Sequence, residues 1–372
     1  MREIRGELTT ALADQVGSQG AAKAGAILVP TYRRLMEQIA QLSYVNKDHL
    51  LFFRGQSTDY KNKAGASSFY PSIYRGERLS REEVALRFDI LESSSRRLVD
   101  AFRQERIAGS HEIKRRKYIQ WSILQHYEVC PTPLLDFTHS VRVACSFASL
   151  DGGSTEAYVF VFGLPYITNR ISVNSEQDLV NVRLLSICPP DALRPYFQEG
   201  YLAGTDEVTT DYGSSKNELD FTRRLIAKFR IPVARSFWGK DFPPIPRAAL
   251  YPDGDRMRDL CESIRDEVGT QVEAGQLGRF LQAWVSLESR LMTLAREHHT
   301  RVFSLREAID LLARDGVMSA ETRQRLDALR TTRNTAAHKP SDLKARQLAV
   351  AVAEVEELDS AIRARKSASG AR

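Results

Sequence analysis

The sequence predicts an α+β domain with a mixed sheet and helices, followed by an all-α domain. Apolar runs typical of strands, such as 49–53 and 156–165, alternate with amphipathic helical patterns in the first part of the chain. The segment 237–255 is rich in Pro, Asp and Gly, which mark turns and loops. Beyond this segment Pro340 is the only proline of the sequence, and apolar residues recur at helical spacing.

These observations place a domain boundary near 254–272. We define a first domain at 1–254 and a second at 255–365, both of ordinary domain size. The tail at 366–372 is small, polar and basic, and is expected to be disordered.

The elements of the first domain are predicted in chain order. Residues 1–48 are predicted to be helical, because apolar residues recur there every three or four positions. These residues are Leu28, Tyr32, Leu35, Ile39 and Leu42. A short buried strand is predicted at 49–53, and a loop extends over 57–80.

A long amphipathic helix is predicted after this loop and ends near Gln104. Ser80 is its expected N-cap, and Glu83 completes a capping box. The segment 156–165 is apolar on both faces, which predicts a strand in the centre of a sheet. A further strand is predicted at 183–190.

Composition and charge restrict the functional classes. The net charge of +6 is compatible with a polyanionic partner, although most basic residues are interspersed with acidic ones. The one clear basic run, at 114–118, is interpreted as a solvated helix face. The four cysteines are far apart and form no C-x-x-C pair, which argues against a disulfide framework or a zinc ribbon. No metal is expected.

A cytoplasmic location is expected. The sequence has no apolar run of about 18 residues or more, so neither a spanning helix nor a membrane partner is predicted. The first residues also lack the apolar core of a signal peptide.

Several distinctive sequence motifs occur in the first domain. They are FFRGQ at 52–56, YPSIYR at 70–75, the long stretch 124–149, RPYFQEGY at 194–201 and LYPDGD at 250–255. In this order they resemble the pattern of the FRG domain, a family found in bacteria and phages. The chain departs from that pattern at Glu128, Pro133 and Phe137, where the family has Gly, Arg and Trp.

The order of the polar residues also resembles the three-part signature of ADP-ribosyltransferases, which consists of Arg, then Ser-Thr-Ser, then Glu. The corresponding residues here are Arg54, then Thr138 and Ser140, then Gln198 or Glu199. The resemblance implies that these residues are catalytic and that NAD is the substrate. A glutamine in the acidic position would make the transfer slow or abolish it.

The resemblance also implies a set of NAD contacts. A planar guanidinium can hold a pyrophosphate by two parallel hydrogen bonds, and a glycine lets the backbone approach the dinucleotide closely. The expected binding residues are Arg54, Gly55, Gln56, His126, Tyr127 and Asp136.

Each of these residues also has a structural interpretation. Arg54 fits an ion-pair partner of Asp136, and the segment 136–138 fits a helix N-cap. The pair 126–127 fits a packed aromatic contact, and 198–199 fits loop surface.

The second domain is predicted to be a four-helix bundle. Its first helix carries an apolar stripe that includes Phe280 and Trp284. Ser304 and Ser319 are the expected N-caps of the next two helices, and a last helix is predicted at 341–362.

The motif LRTTRNTAAH at 329–338 resembles the signature of the HEPN superfamily, which consists of Arg, a polar residue and then His. The corresponding residues are Arg333, Asn334 and His338. In many members the Arg and His form a metal-independent ribonuclease site across a dimer interface. Residues five apart on a helix lie about 140° apart, so Arg333 and His338 converge only if the helix unwinds or a second protomer contributes.

The two resemblances together predict a bacterial toxin or antiphage-defence effector. Its first domain would bind NAD and transfer ADP-ribose to a nucleic acid, a protein or water, and its second would dimerise or cleave RNA. The alternative is a non-catalytic nucleotide or ligand sensor that gates a ribonuclease. A homodimer is expected through the fourth helix, unless its apolar stripe is buried within one bundle. That stripe comprises Leu348, Val352, Val355 and Leu358.

Overall fold

A computed structural model of the chain describes residues 1–76, 79, 81–150, 153–206, 216–299 and 301–369. The chain divides into two units, residues 1–265 (unit 1) and 266–372 (unit 2). This division falls inside the interval 254–272 where the sequence predicted a domain boundary. Unit 1 combines a mixed sheet with helices and the described part of unit 2 is helical, as the sequence predicted.

The described strands of unit 1 form one sheet, ordered β1-β8-β4-β2-β3-β7-β6-β5. The strands are β1 Ile27–Leu28, β2 Leu50–Gln56, β3 Leu135–Thr138, β4 Glu156–Leu164, β5 Ile171–Asn174, β6 Leu179–Arg183, β7 Gly200–Gly204 and β8 Leu225–Pro232. The described helices of the unit are α1 Thr10–Val16, α2 Gly20–Lys23, α3 Tyr32–Val45, α4 Arg81–Gln104, α5 Ser110–Arg115, α6 Lys117–His126, α7 Val141–Ala148, α8 Arg194–Gln198, α9 Arg235–Trp238 and α10 Arg247–Leu250.

The sheet has two halves of four described strands, and the join between them is narrow. β2 pairs with β4 at all seven of its residues, whereas its register with β3 contains the single described pair Phe53↔Thr138. β3 pairs instead with β7 over its full length. We call the line between β2 and β3 the seam. Backbone groups along the seam need partners other than a neighbouring strand.

Apolar residues on both faces of the central strands bury the sheet. In β4, Val159 and Val161 belong to a core cluster that includes residues of α3 and α7. Phe160 and Phe162 belong to a second cluster, because successive side chains of a strand point to opposite faces. The predicted central strand is therefore confirmed.

The structure corrects three local predictions. β2 continues through 54–56, so Arg54 and Gly55 lie inside the strand rather than after its end. Residues 1–48 are not helical throughout, since Leu28 belongs to β1, which pairs in parallel with β8. The segment 183–190 is not a strand: β6 ends at Arg183, and a 3₁₀ turn follows at Leu184–Ser186.

The predicted helix after the loop is α4, which begins at Arg81. Its expected cap, Ser80, lies outside the described residues. No helix of the described chain is long and apolar enough to cross a membrane.

Unit 2 is built from helices that share one apolar cluster. They are the later part of α11 Arg256–His298, then α12 Leu305–Arg314, α13 Ala320–His338 and α14 Ala345–Ser369. Ser304 caps α12 and Ser319 caps α13, as predicted, by accepting hydrogen bonds from Glu307 N and Thr322 N. The described part of α14 includes 366–369, where the sequence predicted a disordered tail, and 370–372 lie outside the described residues.

Candidate functional site

A cavity of about 540 Å³ opens beside the seam of unit 1. Its volume lies in the range usual for small-molecule sites. Residues 53–55 of β2 and 136–138 of β3 form its floor, and α6, α7, α8, β7 and three loops add the remaining lining. All five sequence motifs of the first domain contribute residues to this lining. Segments far apart in the chain therefore meet at one place.

Two guanidinium groups are among the described groups that line the cavity. Arg54 Nη1 donates a 2.6 Å hydrogen bond to the backbone oxygen of Asp136, across the seam. The described contact is thus with the backbone of Asp136, not with its carboxylate. Arg75 is held by a 2.8 Å hydrogen bond from its Nε to the Tyr70 oxygen. Burial lowers the pKa of Arg54 to about 10, and the nearby charge of Arg75 adds to this effect, so Arg54 stays charged at neutral pH.

The Asp136 carboxylate lies on the cavity wall next to Arg54. Its Oδ2 accepts a 2.8 Å hydrogen bond from Gln125 Nε2, and its Oδ1 lies 3.8 Å from His126 Nδ1. Burial alone would raise the pKa of this carboxyl, but the interactions with His126 and the charge of Arg54 outweigh it. The pKa of Asp136 is therefore below its usual range, and the group is ionised at neutral pH.

His126 is almost completely buried in the cavity wall. Its ring meets that of Tyr127 edge to face, with centroids 5.7 Å apart. Its Nε2 atom is buried without a partner among the described atoms. An unpaired buried nitrogen is uncommon in a stable fold, so its place beside a cavity is a reason to consider a ligand.

Thr138 and Ser140 both have structural roles. The single proton of the Thr138 hydroxyl is shared between the backbone oxygens of Gln198 and Glu199, 3.0 and 3.2 Å from Oγ1, and Oγ1 accepts from Ser140 N. Ser140 is the N-cap of α7, since its Oγ accepts from Val143 N. Thr138 lines the cavity and Ser140 is not among its lining residues. The interpretation of 136–138 as a helix N-cap is therefore wrong, because these residues belong to β3 and the cap of α7 is Ser140.

Gln198 and Glu199 occupy different environments. The buried Gln198 lines the cavity, and its Nε2 donates a 2.7 Å hydrogen bond to the Leu250 oxygen. Glu199 is exposed, has a left-handed backbone with φ of 45°, and is not among the lining residues. Neither residue belongs to a strand: Gln198 ends α8 and Glu199 follows it.

The remaining expected NAD contacts divide in the same way. Gly55 lines the cavity, but a Cβ at this position would lie 1.8 Å from the Ala144 oxygen, so packing of α7 on β2 also requires the glycine. Gln56 and Tyr127 are not among the lining residues. The Tyr127 hydroxyl donates instead to the buried Asp255 carboxylate.

Sequence reasoning missed several residues that line the cavity. Arg75, Gln125 and Tyr251 line the cavity and lie inside the motifs 70–75, 124–149 and 250–255. The motifs could therefore have indicated these residues, but the sequence analysis assigned them no role. The Tyr251 ring packs edge to face against Phe147, with centroids 6.0 Å apart. The guanidinium carbons of Arg194 and Arg247 lie over the same Tyr251 ring, 4.9 and 5.5 Å from its centroid.

Two features of unit 1 bear on metal and thiol chemistry. Among the described residues, no group of three or more His, Cys, Asp or Glu side chains is placed to hold a metal ion. Burial raises the pKa of Cys130, which lines the cavity, to about 12. Its thiol is therefore protonated at neutral pH and is a poor nucleophile.

In unit 2, α13 remains helical to His338. Unwinding therefore does not bring Arg333 and His338 together, and an intact helix places them about 140° apart. Arg333 Nη1 donates to Asn334 Oδ1, and His338 is exposed. Of the predicted stripe, Leu348, Val355 and Leu358 are buried in the core of unit 2, and the partly buried Val352 packs against the same core.

Residues 49–156 match the family model of the FRG domain. The predicted FRG resemblance is confirmed for this segment, which contains the motifs at 52–56, 70–75 and 124–149. The motifs at 194–201 and 250–255 lie beyond the matched segment but contribute residues to the same cavity. No curated protein and no solved structure matches the chain.

Proposed function

We propose that the FRG domain, together with the later segments of unit 1, binds NAD in the seam cavity and transfers ADP-ribose to a macromolecular acceptor. The observation that carries this proposal is the charge arrangement of the cavity. Arg54 and Arg75 suit the two phosphates of a dinucleotide, and Asp136 supplies an ionised carboxylate beside them.

Titration calorimetry of the full chain with NAD, ADP-ribose and ATP tests the binding step. We expect NAD and ADP-ribose to bind, and Arg54→Gln to weaken both at least tenfold, because a charge-assisted contact is lost. Lys240 is an exposed cation outside the cavity lining, so Lys240→Gln is a matched control that should bind like the wild type. Absence of heat with all three nucleotides, from a folded sample, rejects the proposal.

A second candidate function is a nucleotide sensor without turnover. It is favoured by Gln198, a neutral residue whose amide is already engaged by the Leu250 oxygen. Release of nicotinamide from NAD separates the two candidates. Release that is lost in Arg54→Gln indicates an enzyme that cleaves NAD, and labelled ADP-ribose found on a macromolecule then identifies a transferase. Binding without any release indicates a sensor.

The proposal extends to a role as a bacterial toxin or antiphage effector, in which unit 2 dimerises or cleaves RNA. Its support is the joining of an FRG domain to a helical unit with an exposed His338 on α13. Expression of the chain should arrest bacterial growth, and Arg54→Gln should relieve the arrest. Normal growth with the wild type at the same protein level would contradict this role.

A further inference from the structure

The transfer reaction needs a carboxylate close to the ribose, and three acidic residues lie at or near the cavity. Glu199 follows the lining residue Gln198 but is exposed and outside the lining. Glu128 lines the cavity, yet its side chain is exposed and makes no hydrogen bond among the described residues. Asp136 both lines the cavity and has fixed hydrogen-bond partners.

A relay of hydrogen bonds fixes the orientation of Asp136. Thr132 Oγ1 and Ser72 Oγ lie 2.6 and 3.0 Å from Gln125 Oε1. Both hydroxyls also accept a backbone N–H, from Leu134 and Thr132 respectively, so each has a proton to donate. The Thr132 hydroxyl donates to the Gln125 oxygen, which the Ser72 hydroxyl shares as acceptor with the Thr132 oxygen at 3.3 Å. This assignment turns the amide nitrogen of Gln125 towards Asp136, where it donates at 2.8 Å.

We propose that Asp136 is the catalytic carboxylate of the ADP-ribosyl transfer, and that Gln125 is the residue that positions it. This inference rests on the proposed function. It replaces the sequence-based assignment of that role to Gln198 or Glu199.

The chemistry balances with NAD and a nucleophile as the reactants. The bond between ribose C1′ and the nicotinamide nitrogen breaks, and its electron pair goes to that nitrogen, which leaves neutral nicotinamide. The positive charge that develops on the ribose is stabilised by the Asp136 carboxylate. Water or an acceptor side chain then forms the new bond to C1′ and releases one proton to solvent.

Calorimetry and nicotinamide release by the full chain test this inference with NAD as the probe. We expect Asp136→Asn to bind NAD within about threefold of the wild type and to lower kcat about 100-fold or more. Glu199→Gln should retain wild-type activity. Asp241→Asn is a matched control, since Asp241 is exposed and outside the lining.

Each outcome has a separate meaning. A wild-type chain that does not bind NAD rejects the proposed function, and one that binds without release rejects the reaction and this inference with it. Release with an active Asp136→Asn, or a loss of release in Glu199→Gln instead, overturns the inference alone. If circular dichroism shows that Asp136→Asn does not fold, Asp136→Glu replaces it, because this variant keeps the charge and should retain partial activity. A folded Asp136→Glu without activity, together with a fully active Gln125→Ala, would contradict the inference.

The pH profile tests the positioning role of Gln125. Asp136 must be ionised, so kcat falls as the pH drops through its pKa. The pKa of Asp136 is lowered chiefly by His126 and Arg54, and the Gln125 hydrogen bond adds a smaller effect in the same direction. Gln125→Ala should therefore move the acidic limb of the profile slightly to higher pH. A uniform loss of activity with an unmoved limb would show that Gln125 acts only through folding.

Discussion

Glu128 has a left-handed backbone conformation at a position where the FRG pattern has glycine. Its backbone φ is 56°, in the left-handed region that glycine adopts most readily. The FRG pattern has glycine at this position, and the loop between α6 and β3 gives the physical reason. Residues 129–131, which follow directly, line the cavity, so the strained turn shapes one wall of the site.

Glu128→Gly should stabilise the chain by about 1 kcal/mol. A left-handed conformation costs a non-glycine residue about 1–2 kcal/mol, and the greater freedom of glycine in the unfolded state offsets part of the gain. Denaturant unfolding monitored by circular dichroism measures the change. Glu176→Gly is the matched control: Glu176 is not among the described residues with positive φ, so it should lose stability instead. Destabilisation by both substitutions would contradict the role assigned to the backbone at Glu128.

Among the elements, α7 and β2 make the contact that supports the floor of the cavity. Gly55 allows the backbone of α7 to lie directly on the strand, at the Ala144 oxygen. The adjacent Arg54 then reaches across the seam to Asp136. Helix packing and the position of the guanidinium are therefore set by consecutive residues.

Gly55→Ala should destabilise unit 1 by about 3 kcal/mol or more, because the new methyl group meets a backbone atom that cannot turn away. Thermal unfolding of the full chain measures this loss. Gly25→Ala provides the control, since nothing lies within 4 Å of a Cβ there and its φ is ordinary. It should change stability by less than about 1 kcal/mol, in the stabilising direction. Equal melting temperatures for the two variants would contradict the packing role of Gly55.

Sequence patterns predicted those elements whose signals are local. The strand at 156–164 was predicted because both of its faces are apolar, and the caps Ser304 and Ser319 follow from local chemistry. The strand at 179–183 was missed in favour of 183–190, although Val180 and Val182 carry the strand pattern.

The seam and the composition of the cavity could not be predicted in this way. They depend on which strands become neighbours, and β2 and β3 are joined by one described pair between residues far apart in the chain. The separation of Gln198 from Glu199 depends on the end of α8, a short helix that the sequence analysis did not predict. The roles of Arg75 and Gln125 likewise follow only from distances.

At the scale of the whole molecule, the proposed ribonuclease of unit 2 requires two chains. Arg333 and His338 lie on an intact helix and do not share a face. The full chain should cleave labelled RNA in the presence of EDTA, and Arg333→Ala and His338→Ala should each abolish cleavage. A mixture of the two variants should regain activity, because one hybrid site then contains both side chains.

His298→Ala is the control for this experiment, as His298 is also an exposed histidine of unit 2. Light scattering of the same samples reports the oligomeric state. A monomer at micromolar concentration, or a mixture that stays inactive while the wild type cleaves, would contradict a site shared between two chains.

The central claim concerns the seam cavity, and a crystal structure of the full chain with ADP-ribose tests it most directly. We expect the diphosphate within hydrogen-bond distance of Arg54 and Arg75, and the ribose that carried nicotinamide next to Asp136. ADP-ribose bound at another surface, with the seam cavity empty at a saturating concentration, would contradict the claim.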